Sequence, residues 1–152
     1  MDPEKLMTQL EAIPKDDFEF QSRGLTEQWR TGSAGMECVE PILRFMENHP
    51  NVDFGSPGPL VHFIESRENN DEDRNHFVLL VTESIKRRPT PHTVWLLNRL
   101  LNLARKANTK NLEKILFEAM ALAKLNPRAD DCTRERIDDF LAHYAARATE
   151  LK

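Results

Sequence analysis

The sequence is short of the residues that build covalent or metallic staples. Cys38 and Cys132 are its two cysteines. They share no metal-ligand spacing, and the reading that fits them is a pair of reduced thiols in a cytosolic chain. Glycine is scarce and one-sided. Gly24, Gly32, Gly35, Gly55 and Gly58 are the whole set, so nothing after Gly58 can form the glycine turns of β-hairpins. No apolar run approaches the length that spans a bilayer; Phe77–Val81 is typical of the longest. The opening Met1-Asp2-Pro3-Glu4-Lys5 lacks the basic and apolar regions of a secretory signal, which predicts a cytoplasmic protein with no membrane partner. A glycine-rich phosphate loop, CxxC, HExxH and a nucleophile elbow are all missing. The expectation is a binding surface and not an enzyme, with no cofactor and no metal.

What is present is helical and charged. The 152 residues are 39% hydrophobic and 30% charged, the balance of a polar globular chain with room for a core. The net charge of -4 hides a division. Residues 1–76 carry 16 Asp/Glu against 7 Lys/Arg, a charge of -9, and residues 77–152 carry 9 against 14, a charge of +5.

Helix starts and stops punctuate the chain. Asp2-Pro3-Glu4 opens a helix with an N-cap followed by proline, Leu6, Leu10 and Ile13 give its apolar side, and Pro14 closes it. Residues 14–34 read as irregular, with a short helix possible over Leu25–Arg30; Phe18, Phe20 and Trp29 predict that this arm packs on the body. The spacing of Cys38, Val39, Ile42, Phe45 and Met46 predicts a helix from about Ser33 to Asn48, either kinked or truly starting at Pro41. Ser56-Pro57 reads as the cap of a helix carrying Leu60, Phe63 and Ile64. A helix over 72–87 follows, with Phe77, Leu80, Val81, Ser84 and Ile85 in period. Thr90 and Pro91 restart the chain as cap and first helical residue. Further helices are predicted over 91–106, with Leu96, Leu97, Leu100, Leu101 and Ala104 inward, and over 110–126, with Leu112, Ile115, Leu116, Ala119 and Leu122 on one face. A last helix is capped by Asp130, Asp131 or Thr133, with Ile137, Phe140, Leu141, Tyr144 and Ala148 inward. Starts recur about every 20 residues and hairpins about every 40, the period of HEAT-like helix pairs. The predicted fold is all-α: antiparallel helical hairpins stacked as a HEAT-like array or a compact bundle, in one domain over 1–152 with 1–34 a partly irregular N-terminal arm.

Chemistry-bearing residues are few. His62 and Glu65, three apart on one helix, have the spacing of a base and its orienter, but no nucleophile pattern accompanies them; a surface histidine beside a carboxylate is the simpler reading. His92 sits in the first turn of its helix. Asn98, Arg99 and Asn102 lie beside Trp95, either as a polar binding surface or with Asn98 tying down a loop carbonyl and Arg99 pairing a carboxylate. Lys86, Arg87, Arg88, Arg99, Arg105, Lys106 and Lys110 are cationic, but the overall acidity (sequence pI about 5.8) disfavours nucleic acid as a partner.

Two segments together carry a resemblance: Phe54-Gly55-Ser56-Pro57-Gly58-Pro59-Leu60-Val61-His62-Phe63-Ile64-Glu65 and Arg88-Pro89-Thr90-Pro91-His92-Thr93-Val94-Trp95-Leu96-Leu97-Asn98-Arg99. They resemble small all-helical bacterial immunity proteins of polymorphic toxin systems, those of contact-dependent inhibition or type VI secretion. The resemblance covers these segments and the helix order over about 35–110, and nothing of residues 1–34 or the last helix. It implies a cytoplasmic protein that binds a cognate toxin and occludes its active site without catalysis. A helical scaffold or adaptor for another protein partner is the alternative. The motif residues Gly55, Pro57, Gly58, Pro59, Thr90, Pro91 and Asn98 read as scaffold, so partner choice is expected elsewhere. If the toxin is a nuclease domain, its cleft is basic, and an acidic surface complements it. The candidate partner-binding residues are Asp16, Asp17, Glu19, Glu37, Glu40, Glu47, Glu65, Glu68, Asp71, Glu72 and Asp73, with a merely solvated acidic face as the competing reading.

Overall fold

A computed structural model describes residues 2–32 and 34–150, with side chains described up to Arg147. The expected helix start at Ser33 and the inward placement of Ala148 therefore lie outside the described residues. Among the described residues the fold is all-α: α1 (Pro3–Glu11), α2 (Phe18–Thr31), α3 (Val39–Asn48), α4 (Pro59–Glu65), α5 (Asp71–Arg87), α6 (Pro91–Lys106), α7 (Lys110–Lys124) and α8 (Asp131–Glu150). The chain divides into two compact units, residues 1–80 and 81–152, where its length alone suggests one. The 77–80 stretch is uncharged, so this division coincides with the charge division: the first unit carries -9 and the second +5.

In the first unit the arm is more regular than its sequence. Asp2 caps α1, its carboxylate accepting from the Glu4 N–H at 3.0 Å. After a 3-10 turn at Lys15–Asp17, α2 runs unbroken through Gly24. Its buried face is Phe18, Ser22, Thr26 and Trp29. Ser22 and Thr26 donate their hydroxyl protons back to the Glu19 and Arg23 carbonyls at 3.1 and 3.0 Å, so two small polar residues sit inside without an apolar stripe to announce them. Phe20 points the other way and is 73% exposed, against the expectation that it packs on the body. α1 packs on α3, α2 on α4, and α3 on α4. The Trp29 Nε1–H donates to Gln9 Oε1 at 2.9 Å, which fixes α2 to α1.

Pro41 resolves as part of a helix start. A 3-10 turn at Met36–Cys38 leads into α3, and Pro41 lies in the first turn, where its missing N–H breaks no ladder. Phe18, Phe45 and Phe54 form one cluster with ring centroids 5.1–5.9 Å apart. Phe54 reaches it from the loop before α4. There Gly55 has φ of +86° and Asp53 Oδ1 accepts from the Gly55 N–H at 2.9 Å. A Cβ at Gly58 would lie 1.3 Å from the Phe54 carbonyl oxygen. Gly58, and not Ser56, occupies the N-cap position of α4, with Pro59 at its first turn. Asn70 caps α5: its Oδ1 accepts from the Asp73 N–H at 2.9 Å, and Asp73 Oδ2 accepts in return from the Asn69 N–H at 3.0 Å.

In the second unit α6, α7 and α8 each pack on the other two. Thr90 and Thr93 form a reciprocal cap: the Thr93 N–H donates to Thr90 Oγ1 at 3.3 Å and the Thr90 N–H to Thr93 Oγ1 at 3.0 Å. The predicted inward face of α6 is buried throughout. Just past the end of α6, Asn108 has a φ of +57°, and the Thr109 N–H donates to the Ala104 carbonyl at 2.9 Å. The face of α7 is rotated from the expected one: Glu113, Leu116, Met120 and Ala123 are buried, whereas Ile115 and Leu122 are exposed. In α8, Asp130 is the capping residue, accepting from the Thr133 N–H at 2.7 Å. Asn126, just past α7, ties back to α5: its Nδ2–H donates to the Lys86 carbonyl at 2.8 Å.

Two glycine replacements separate close approach from chain freedom. Gly58→Ala has no room and should destabilise by more than about 2 kcal/mol. At Gly24, inside α2, a Cβ would meet nothing within 4 Å, so Gly24→Ala should stabilise by about 0.5–1 kcal/mol. Urea denaturation of both variants checks the pair, and equal effects would contradict this packing of the Phe54–Gly58 loop.

Candidate protein-binding face

All eleven acidic candidates belong to the first unit, and they separate into three neighbourhoods and one exception. Asp16 and Asp17, exposed in the first 3-10 turn, and half-buried Glu19 line a shallow hollow with Asp53, Arg23 and the exposed Phe20 ring. Its volume is about 270 Å³. An exposed aromatic ringed by carboxylates is the surface chemistry that a cationic protein partner meets with both contact area and charge.

The second neighbourhood is a groove of about 740 Å³. α1 contributes Met7 and Glu4, the turn before α3 contributes Met36 and Glu37, α3 contributes Glu40, Pro41 and Arg44, and α5 contributes His76 and Leu80. Arg44 donates from Nε and Nη2 to Glu40 Oε1 at 3.1 and 2.9 Å. Beneath the turn Cys38 is buried. Burial pushes its thiol pKa up and the adjacent Glu37 carboxylate adds to the rise, which leaves an inert thiol and not a nucleophile.

The third neighbourhood runs from the end of α4 to the start of α5. Asp71 and Glu72 are exposed; Glu65, Glu68 and Asp73 are half-buried. Glu68 accepts from Arg74 Nε at 3.3 Å. Burial pushes the Glu68 carboxyl pKa up, Arg74 pulls it back, and the Glu65 and Asp73 charges push it up again. The exception is Glu47, which α3 turns inward to 5% exposure, out of reach of a partner on the surface.

The remaining sequence candidates do not assemble around one reacting centre within either unit. His62 is exposed at a separate hollow lined by Pro57, Pro59 and Arg23. In the second unit the Arg99 guanidinium lies 5.0 Å from the Trp95 ring centre. The cations there are engaged locally: Lys86 with Glu83 at 2.7 Å, Lys110 with Glu113 at 3.4 Å, and Arg105 over the Tyr144 ring at 4.9 Å. Tyr144 also donates its hydroxyl proton to Glu113, which lowers that carboxyl pKa and ties α8 to α7. Among the described residues no group of three or more His, Cys, Asp or Glu converges as a metal ion requires, and no helix is long and apolar enough to cross a membrane.

Asp53 and the methionines of the groove were not singled out by the sequence, Glu4 was read only as part of the α1 start, and Phe20 was expected to pack on the body. Phe20 had a signal, since it is out of phase with Phe18, Ser22, Thr26 and Trp29. The groove had none, because its walls come from three separate parts of the chain. No protein-family model, no curated protein and no solved structure matches the chain.

The Glu68–Arg74 contact gives a titration test. The folded pKa of Glu68 is raised, so the folded state holds this proton more tightly than the unfolded chain. Its contribution favours folding at low pH and is lost as pH rises from the unfolded pKa through the folded one. Arg74→Ala removes the opposing charge and should move the Glu68 titration to still higher pH. Carboxyl NMR of both proteins measures it, and an unmoved midpoint would discount the arginine.

Proposed function

We propose that this protein is an immunity-type inhibitor, which binds a cognate toxin through the acidic first unit and occludes its active site. The single observation that carries the reading is the charge division: -9 on residues 1–80 and +5 on residues 81–152, split where the chain itself divides. An unselected polar surface has both signs interspersed, whereas a one-signed unit attracts a partner of opposite sign from a distance and raises its association rate. A nuclease domain, whose cleft must attract phosphate, is a partner with the matching charge.

Support also comes from the two motifs. In the first, Gly58 and the Phe54 loop set the entry to α4; in the second, Thr90, Pro91 and Thr93 set the entry to α6. Their residues are occupied with holding the backbone. An inhibitor family whose members choose different toxins needs this separation, with a fixed scaffold under a variable surface. The chain's own role is then steric and electrostatic, exercised in the cytoplasm, with no catalytic step.

Co-expression with the gene in the adjacent reading frame is the direct test. Rescue of growth and co-elution of the two products are expected; toxicity without rescue, or no complex, would sink the reading in favour of an adaptor for some other partner. Within a complex, replacing Asp71, Glu72 and Asp73 together by lysine should slow association about tenfold at low salt, with the difference shrinking at high salt. An unchanged low-salt rate would remove that segment from the interface.

A further inference from the structure

His49 closes α3 at its C-cap position, and Pro50 follows it. Its ring meets two acceptors at once. Nδ1 lies 2.9 Å from the Phe45 carbonyl oxygen, at the open end of α3. Nε2 lies 3.5 Å from Glu11 Oε2, on the last residue of α1. The imidazole is half-buried and packs on the Phe45 ring, with ring centres 4.2 Å apart. A carbonyl oxygen can only accept, so Nδ1 carries a proton. A neutral imidazole has one N–H, and with that proton on Nδ1 the Nε2 lone pair faces a carboxylate that has no proton to give. Protonated His49 donates to both acceptors, and its charge lies at the negative end of the α3 dipole. Lys15, from the turn after α1, opposes that charge, since its ammonium lies 3.2 Å from the same Glu11 oxygen. Asp53, four positions beyond His49, gives its carboxylate to the Gly55 N–H.

We infer that His49 is a proton-operated clasp between the ends of α1 and α3. Neutral, it bonds only to its own helix; protonated, it also holds Glu11. Proton uptake favours the clasped form, so the contact strengthens as pH falls through the histidine range and is lost as pH rises through it. Glu11 has to stay ionised, which sets the lower limit of the effect at the carboxylate range. Because Glu11 is exposed, the pair is screened and the effect is a few-fold one. What the clasp steadies is the end of α1 and the turn that follows. There the Ala12 N–H donates to the Thr8 carbonyl and the Ile13 N–H to the Leu10 carbonyl, each at 3.2 Å, and the Asp17 N–H to the Pro14 carbonyl at 3.4 Å. That turn carries the exposed Asp16 and Asp17. The clasp belongs to the folded chain itself and stands whether or not the inhibitor reading does.

Two measurements on the full chain test it. Imidazole nitrogen NMR at about pH 8 should find neutral His49 with its proton on Nδ1, and a proton on Nε2 overturns the proposal. Amide hydrogen exchange reads the clasp itself, expressed as protection so that the intrinsic pH dependence of exchange is removed. Protection at Ala12 and Ile13 should rise about threefold between about pH 8 and about pH 5.5. His49→Asn, whose side-chain N–H can keep the bond to the Phe45 carbonyl but takes up no proton, should cut that rise to under about 1.5-fold, and Glu11→Gln should do the same. Lys15→Met, which keeps an unbranched stem against the Phe45 ring and removes the competing charge, should enlarge the rise. A wild type without the rise, a rise that survives in His49→Asn or Glu11→Gln, or a smaller rise in Lys15→Met overturns the proposal. If His49→Asn does not fold, Glu11→Gln decides, because that side chain is exposed.

Discussion

The Phe18–Phe45–Phe54 cluster is what permits an acidic unit to be compact. Fully burying a phenylalanine contributes about 1.5–3 kcal/mol relative to leaving it exposed, and aromatic pairs at these separations add about 0.5–1.5 kcal/mol each. Two exposed carboxylates roughly 10 Å apart repel by less than about 1 kcal/mol, and physiological salt screens that further. The core therefore outweighs the crowding of like charge on its surface. The cluster depends in turn on one close approach. Gly58 lies against the Phe54 carbonyl where a side chain has no room, and this holds the loop so that the Phe54 ring reaches α2 and α3. Lys15 completes the arrangement from outside, its ammonium 4.7 Å from the Phe45 ring centre and 3.2 Å from Glu11 Oε2, so one cation serves the core and a neighbouring carboxylate together.

Which elements were legible follows from the range of the forces that set them. The starts of α1 and α6 were readable because their caps act within three residues: Asp2 on Glu4, and Thr90 with Thr93. α2 was not, because its interior face substitutes Ser22 and Thr26 for apolar residues and satisfies their hydroxyls within the helix. A periodicity search sees polarity there, whereas tertiary packing sees only small side chains under Trp29. α7 misled in the opposite way. It carries apolar residues around much of its circumference, so sequence alone cannot choose between Ile115 and Leu116 as the inward one. The buried Glu113 decides it through a contact with Tyr144, 31 positions away. The tie at Asn126 was illegible for a similar reason, since the carbonyl that accepts from it lies on α5, 40 positions earlier.

The acidic candidates were legible as a charge and illegible as a surface. Their sum survives folding, but their availability does not. Glu47 is buried, Glu40 is held by Arg44, and Glu68 is held by Arg74. Asp16, Asp17, Asp71 and Glu72 remain exposed. These two classes act on different parts of a binding event. Exposed carboxylates far from any contact change the encounter, through a field that reaches about a Debye length and weakens with salt. A half-buried carboxylate beside an apolar floor changes the lifetime of the complex, because its charge is met by a partner in a partly desolvated setting. Net charge alone thus predicts speed, and it takes the fold to say where residence is decided.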